Sequence, residues 1–188
     1  VFVEARNEAT ILGAPCRWQS VYRVRLDGDR VIDGRRYYDR APLLATFDPA
    51  TPRLPSLAPP PVACVPAEPL PCLAAGVGPA ELVELCERCW AEGSWSALAA
   101  VFRDDATWHA PGSDGALGRD SLAGFRTRFA GLLGESTPHV RAWAGDDALL
   151  LVEWLVDVPT ASGSPYALGM IDRFDLAAGR VLAARTYL

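Results

Sequence analysis

The last ten residues of the chain, GRVLAARTYL (179–188), nearly repeat DRVIDGRRYY (29–38), 150 positions earlier. The match runs upstream: VYRVRLDGDRVIDGRRYY (21–38) lies over IDRFDLAAGRVLAARTYL (171–188), and Gly13 and Pro15 fall on Gly163 and Pro165. With one residue slipped, Val3-Glu4 falls on Val152-Glu153. A repeat constrains a fold more than a single motif does, because each copy is a structural unit with a face to bury. Residues 1–40 copy only the last third of what residues 79–188 show whole, and Val1 opens in mid-strand. The expectation is a first copy that lacks its N-terminal two thirds, followed by a complete second copy.

Residues 41–78 are different material, dense in Pro and nearly free of charge. Pro removes backbone donors and fixes φ, so neither helix nor sheet runs through such a stretch. It reads as a semi-rigid linker of about 38 residues, long enough to span about 100 Å when extended. Half of all residues are hydrophobic, enough for a packed core, and the net charge of −5 argues against nucleic acid as a partner. All eighteen basic residues are Arg, which reads as a bias of genome composition. No apolar run reaches membrane-spanning length and no signal peptide is visible, so no membrane partner and a cytoplasmic location are expected.

In the second copy, Leu82, Leu85, Cys86, Cys89 and Trp90 recur at helical spacing, and Gly93 ends that helix. Ser94 is placed to cap a short helix, WSALAAVF. A brief strand, 106–112, stops at Pro111-Gly112. Leu122, Phe125, Phe129, Leu132 and Leu133 mark a third helix. Strands follow near 139–145, 148–158, 164–176 and 180–188. Helices first and an antiparallel sheet after make an α+β domain.

Alternation assigns the faces of the strands. Leu150, Val152, Trp154, Val156 and Val158 share one face; Glu153 and Asp157 lie on the other, solvated or at an interface. In the next strand Tyr166, Leu168, Met170, Asp172 and Phe174 share a face. Asp172 is the best single candidate for chemistry. Between Met170 and Phe174 its charged form is disfavoured, so a raised pKa and a proton-donating role are expected. An Arg beside it would make a structural ion pair instead, and Arg126 is the nearest one expected. His109 is a weaker candidate for a general base; it alternates with Trp108 and faces away if Trp108 faces inward. Cys86-x-x-Cys89 has the spacing of a metal or redox pair, but both fall on an apolar helix face and read as small buried hydrophobes. Neither His109 nor His139 has ligand-like spacing to them, so no metal and no cofactor are expected. Five cysteines without regular spacing do not make a disulfide framework.

The residues AEGSWSALAAVFRDDATWHAPG (91–112), GRDSLAGF (118–125) and MIDRFDLAAGRVLAARTYL (170–188) resemble the NTF2-like superfamily, its SnoaL-like branch in particular. The resemblance implies a cone: three N-terminal helices packed on a curved antiparallel sheet. It covers most of 79–188, and its end recurs at 1–40. The superfamily includes ketosteroid isomerases, polyketide cyclases, epoxide hydrolases, dehydratases and members that only bind or associate. Asp172 matches the isomerases' hydrogen-bonding acid, but their general base falls on Ala110, their oxyanion Tyr on Cys86, and their supporting Tyr residues on Arg126 and Phe102. The acid that cyclases and epoxide hydrolases carry in the last strand falls on Thr186, whose hydroxyl does not protonate a leaving group at neutral pH.

Two function classes follow. One is a domain that binds a small, largely apolar molecule in the cone, lined by Trp108, Phe125, Trp154, Met170, Phe174 and Thr186, without catalysis. The other is an isomerase-, cyclase- or hydrolase-type enzyme with Asp172 as acid or base. Trp108, Phe125, Trp143, Trp154 and Tyr166 also read as core. In the first copy Asp172 is matched by Tyr22, so the copies do not share one chemistry. Members of the superfamily commonly dimerise through the sheet face away from the cone, which implies a homodimer or an internal pseudo-dimer. Here those faces carry Arg23, Arg35 and Tyr37 in one copy, and Glu153, Arg173, Arg185 and Tyr187 in the other.

Overall fold

The computed structural model describes residues 1–38, 76–110, 116–134, 136, 138–158 and 166–188. The linker expected at 41–78 lies almost wholly outside them, as do Cys64, Cys72 and Pro111-Gly112. Three strands come first: β1 (Phe2–Ile11), β2 (Ala14–Asp27) and β3 (Arg30–Tyr38). They form an antiparallel sheet in the order β1-β2-β3. Next come helix α1 (Pro79–Glu92), helix α2 (Ser96–Val101) and strand β4 (Phe102–His109). Strand β5 (Leu117–Gly118) and helix α3 (Arg119–Leu133) follow, then β6 (His139–Gly145), β7 (Leu149–Val158), β8 (Tyr166–Ala177) and β9 (Arg180–Tyr187). The second sheet has the order β5-β4-β9-β8-β7-β6.

Local chemistry explains the ends of α1. Pro79 supplies a preset φ in the first turn, the Gly78 amide donates to Glu81 Oε2 at 2.9 Å, and Gly93 closes the helix at φ 65°. Helix α2 differs from expectation: Ser94 does not cap it. Trp95 holds the N-cap position without a side-chain bond. Trp95 is buried with its ring 4.6 Å from that of Trp90, so packing fixes where this helix begins. Strand β4 starts at Phe102, four residues before the strand read from alternation, because Phe102 is already extended. The sheet is also not purely antiparallel: β4 runs parallel to β9, pairing Thr107, Trp108 and His109 with Ala183, Ala184 and Arg185. A residue pattern records which face is apolar and is blind to which strand lies alongside.

The helices cover one face of the large sheet, and the core there gathers Leu82, Trp90, Trp95, Trp108, Phe125, Trp154 and Phe174. The other face is covered by the small sheet. A second apolar cluster joins Val21 and Tyr37 to Leu151, Ile171 and Tyr187, with Phe2 packed against it. Strand β7 is therefore buried on both faces, including Glu153.

The strands β1–β3 and β7–β9 have the same internal register. Phe2, Glu4 and Arg6 face Arg23, Val21 and Gln19. Leu151, Glu153 and Leu155 face Arg173, Ile171 and Gly169. Val21 faces Tyr37 and Arg23 faces Arg35; Ile171 faces Tyr187 and Arg173 faces Arg185. Both ladders shift register at matching places, Arg25/Leu26 and Asp175/Leu176. The turn between β8 and β9 places Ala178 at φ 50° and Gly179 at φ 70°. A Cβ on Gly179 would lie 2.3 Å from Gly76 Cα, so only Gly lets the chain entering α1 cross this turn.

Candidate functional site

Among the described residues, two polar constellations are buried against the large sheet, one on each face. On the helix side, strand alternation aims Asp172 at α3, with Thr186 directly across on β9. Arg126 Nη2 donates to Asp172 Oδ2 at 2.9 Å, and Thr186 Oγ1 donates to Asp172 Oδ1. Trp108 Nε1 donates in turn to Thr186 Oγ1 at 3.3 Å. The Arg126 and Asp172 side chains are 2% and 3% exposed. The guanidinium lies over three indoles, 4.8 Å from Trp108, 5.4 Å from Trp90 and 5.7 Å from Trp95. Its Nε and Nη1 have no hydrogen-bond partner among the described residues. The ring faces supply the electrostatic attraction that donors would otherwise need.

This geometry answers the expectation placed on Asp172. Both its oxygens are engaged and no water-facing edge is left, so the carboxyl belongs to a buried ion pair with Arg126. It does not stand as a lone acid in an apolar pocket. The other candidates for a cone lining, Trp108, Phe125, Trp154, Met170, Phe174 and Thr186, are all buried at 4% exposure or less. Trp108 and Phe125 meet edge to face at 4.4 Å. Trp143 and Tyr166, read as core, are in fact exposed: Trp143 lies on β6, the edge strand of the large sheet, and Tyr166 is the first residue of β8. His109 is half-buried beside Arg185 on β9. Burial, and after it the charge of Arg185, pushes its imidazole below the usual range. Cys86 and Cys89 are buried on α1, and burial raises both thiols.

The second constellation lies in the seam between the sheets. Glu153 is fully buried there. Its Oε2 lies 2.9 Å from Arg23 Nε, its Oε1 accepts from the Tyr37 hydroxyl at 2.5 Å, and Arg141 Nε stands 3.9 Å away. A related set recurs elsewhere in the seam. Arg173 Nε lies 2.7 Å from Glu4 Oε1, and Tyr187 lines the same cavity as Glu4, whose charge acts on its phenol. The backbone joins as well, with the Tyr38 amide donating to the Leu188 carbonyl at 3.1 Å. Asp157 on β7 is exposed. Sequence reading names most of these residues but misses that Glu153 is wholly enclosed. The available signal was one acid in an apolar strand, which the match of Val3-Glu4 to Val152-Glu153 sets over another Glu.

Burial and then the hydrogen bond to Glu153 push the Tyr37 phenol up to about 12. Burial, and after it the charge of Glu4, pushes Tyr187 to about 12. The folded state thus holds these protons more tightly than the unfolded chain, where a phenol titrates near 10. Their contribution to stability is complete below about pH 10 and is lost as the pH rises from about 10 to 12. In an absorbance titration, two of the five tyrosines are expected to ionise last, and Tyr37→Phe is expected to remove one of them. A Tyr37→Phe profile identical to that of the parent would refute the assignment.

A family model described as a SnoaL-like domain matches residues 82–184. Among curated proteins there is no match. The chain is similar to an NTF2-like protein from Anabaena variabilis, with 17% identity and a TM-score of 0.49 over 57% of this chain and 84% of that one. It is similar to IdmH from Streptomyces antibioticus, with 15% identity and a TM-score of 0.47 over 57% and 89%. It is also similar to a protein of ketosteroid isomerase-like fold from Catenulispora acidiphila, with 15% identity and a TM-score of 0.49 over 57% and 85%.

Proposed function

Because the chain belongs to the family of SnoaL-like domains, we propose that it is a non-catalytic member whose working surface is the outward face of its large sheet. In this reading residues 79–188 are a complete cone, and residues 1–40 are the closing strands of a second copy. The two are docked as an internal pseudo-dimer. One observation carries the proposal. Under the shared register Glu4 is the mate of Glu153, Arg23 of Arg173, and Tyr37 of Tyr187. The seam pairs Glu153 with Arg23 and Tyr37, and Glu4 with Arg173 and Tyr187. Each contact is thus matched by its exchanged counterpart, as an isologous two-fold interface requires.

The closed network at Asp172 favours association over chemistry. An acid or base must reach a substrate, and here the buried carboxyl is engaged by Arg126 and Thr186. The enzyme alternative requires that pair to open. A small-molecule reading keeps one supporting observation. Phe129, Val140, Val158, Leu168 and Leu188 are only partly buried and gather where α3, β7 and β9 end and β6 and β8 begin. A largely apolar ligand suits that end of the cone.

The test of docking is cleavage of the covalent link. A protease site inserted between residues 50 and 65 of the full chain is cut after purification. The two pieces are expected to co-elute in size exclusion at moderate salt. Pieces that separate would defeat the pseudo-dimer.

A further inference from the structure

The two halves of the seam are mates, yet only one of them is closed. On the Glu153 side, Leu155 and Gly169 stand across from each other on β7 and β8. Gly169 leaves room for Tyr37: a Cβ there would lie 3.0 Å from the Tyr37 ring and hydroxyl. The matching positions on β1 and β2 are Arg6 and Gln19. Where these polar residues replace an apolar pair, the seam opens into a cavity of about 280 Å³ lined by Glu4, Arg6, Gln19, Arg173, Arg185 and Tyr187.

The charges in this cavity do not balance. Three Arg against one Glu leave a net charge of +2 (3 − 1). Glu4 is shared by Arg173 and Tyr187, and Arg173 is also held by Asp175. Arg185 stands directly across from Arg173 on β9, an arrangement of like charges that is unfavourable unless something lies between or beside them. Neither Arg185 nor Arg6 has an ion pair or hydrogen bond with any described residue. Arg6 comes from the small sheet and Arg185 from the large one, and both reach the same cavity.

We propose that this cavity binds a small dianionic oxyanion, a phosphate or phosphomonoester group, between Arg6 and Arg185, with the Gln19 amide as a further donor. Planar guanidinium forks match tetrahedral oxyanions with paired hydrogen bonds. The volume takes the anion and a short organic stem. Because its donors come from both sheets, the anion binds only the docked state and strengthens docking by mass action. The proposal rests on the pseudo-dimer reading. Cleavage of the linker without any anion tests that reading separately.

The experiment uses the full chain in a phosphate-free buffer. Inorganic phosphate is titrated by calorimetry, and melting is followed with sodium chloride at matched ionic strength as control. Phosphate at about ten times its Kd is expected to raise Tm by about 3–5 °C, beyond any chloride effect. Arg185→Gln and Arg6→Gln are each expected to weaken phosphate binding at least about tenfold. Arg6 is exposed, so its variant keeps the test sound if Arg185→Gln disturbs folding. An equal rise with chloride, or an unchanged phosphate Kd in Arg6→Gln, overturns the proposal. Malonate binding as tightly as phosphate would replace the phosphate assignment with a dicarboxylate.

Discussion

Glu153→Ala is expected to destabilise the protein by about 3–5 kcal/mol, the cost of breaking a buried ion pair by removing one partner. Glu153 is wholly enclosed, and without it Arg23 and the Tyr37 hydroxyl face an apolar cluster of Val21, Leu151 and Ile171. Urea unfolding of the intact chain gives the measurement. Glu4, at the matching register position of β1, supplies the internal control: it is 38% exposed, so Glu4→Ala is expected to cost no more than about 1 kcal/mol. Two mates with one chemistry and different burial separate the effect of enclosure from that of the contact. A double-mutant cycle with Arg23→Ala is expected to show strong coupling to Glu153. Equal, small losses in both Glu variants would mean that the sheets do not dock as described. In the cleaved chain, Glu153→Ala is also expected to let the two pieces separate.

Arg126→Ala is the second large effect, with an expected loss again of about 3–5 kcal/mol. The change strands the Asp172 carboxyl at 3% exposure and empties the space among Trp90, Trp95 and Trp108. Both consequences act in the same direction, since a core cavity costs stability in its own right. Guanidinium-free repair separates them. Replacing the whole pair, Arg126→Met with Asp172→Leu, is expected to recover most of the loss, because well-packed apolar residues often substitute for a buried pair without penalty. Indole fluorescence reports the box directly, and its emission is expected to shift in Arg126→Ala. A loss below about 1 kcal/mol in Arg126→Ala would show that the pair is not enclosed, and would return Asp172 to the enzymatic reading.

Much of this arrangement was legible in the residues themselves. The echo of 21–38 in 171–188 marks two hairpins with one pattern, and alternation puts Asp172 between Met170 and Phe174 on a single face. The outward set of Arg23, Tyr37, Glu153 and Arg173 follows from the same parity, because strand side chains alternate strictly and period 2 survives in any tertiary setting. Helix α1 is readable for a similar reason: its start, its end and its apolar stripe depend on neighbours within a few residues.

Only the tertiary structure decided what each face meets. The parallel pairing of β4 with β9 joins segments about 80 residues apart, and no local period encodes a partner strand. The box around Arg126 draws Trp90 from α1, Trp95 from the start of α2 and Trp108 from β4. Three elements must fold together before the indoles become a site. Glu153 and Glu4 are the sharpest case. They occupy the same place in the same pattern, yet one is fully buried and the other is 38% exposed. Their difference comes from what stands beside them: Leu155 and Gly169 let the seam close on one side, while Arg6 and Gln19 hold it open on the other. Burial is a property of the assembled neighbours, so the same residue at matching places in two ladders becomes a closed ion pair or the wall of a cavity.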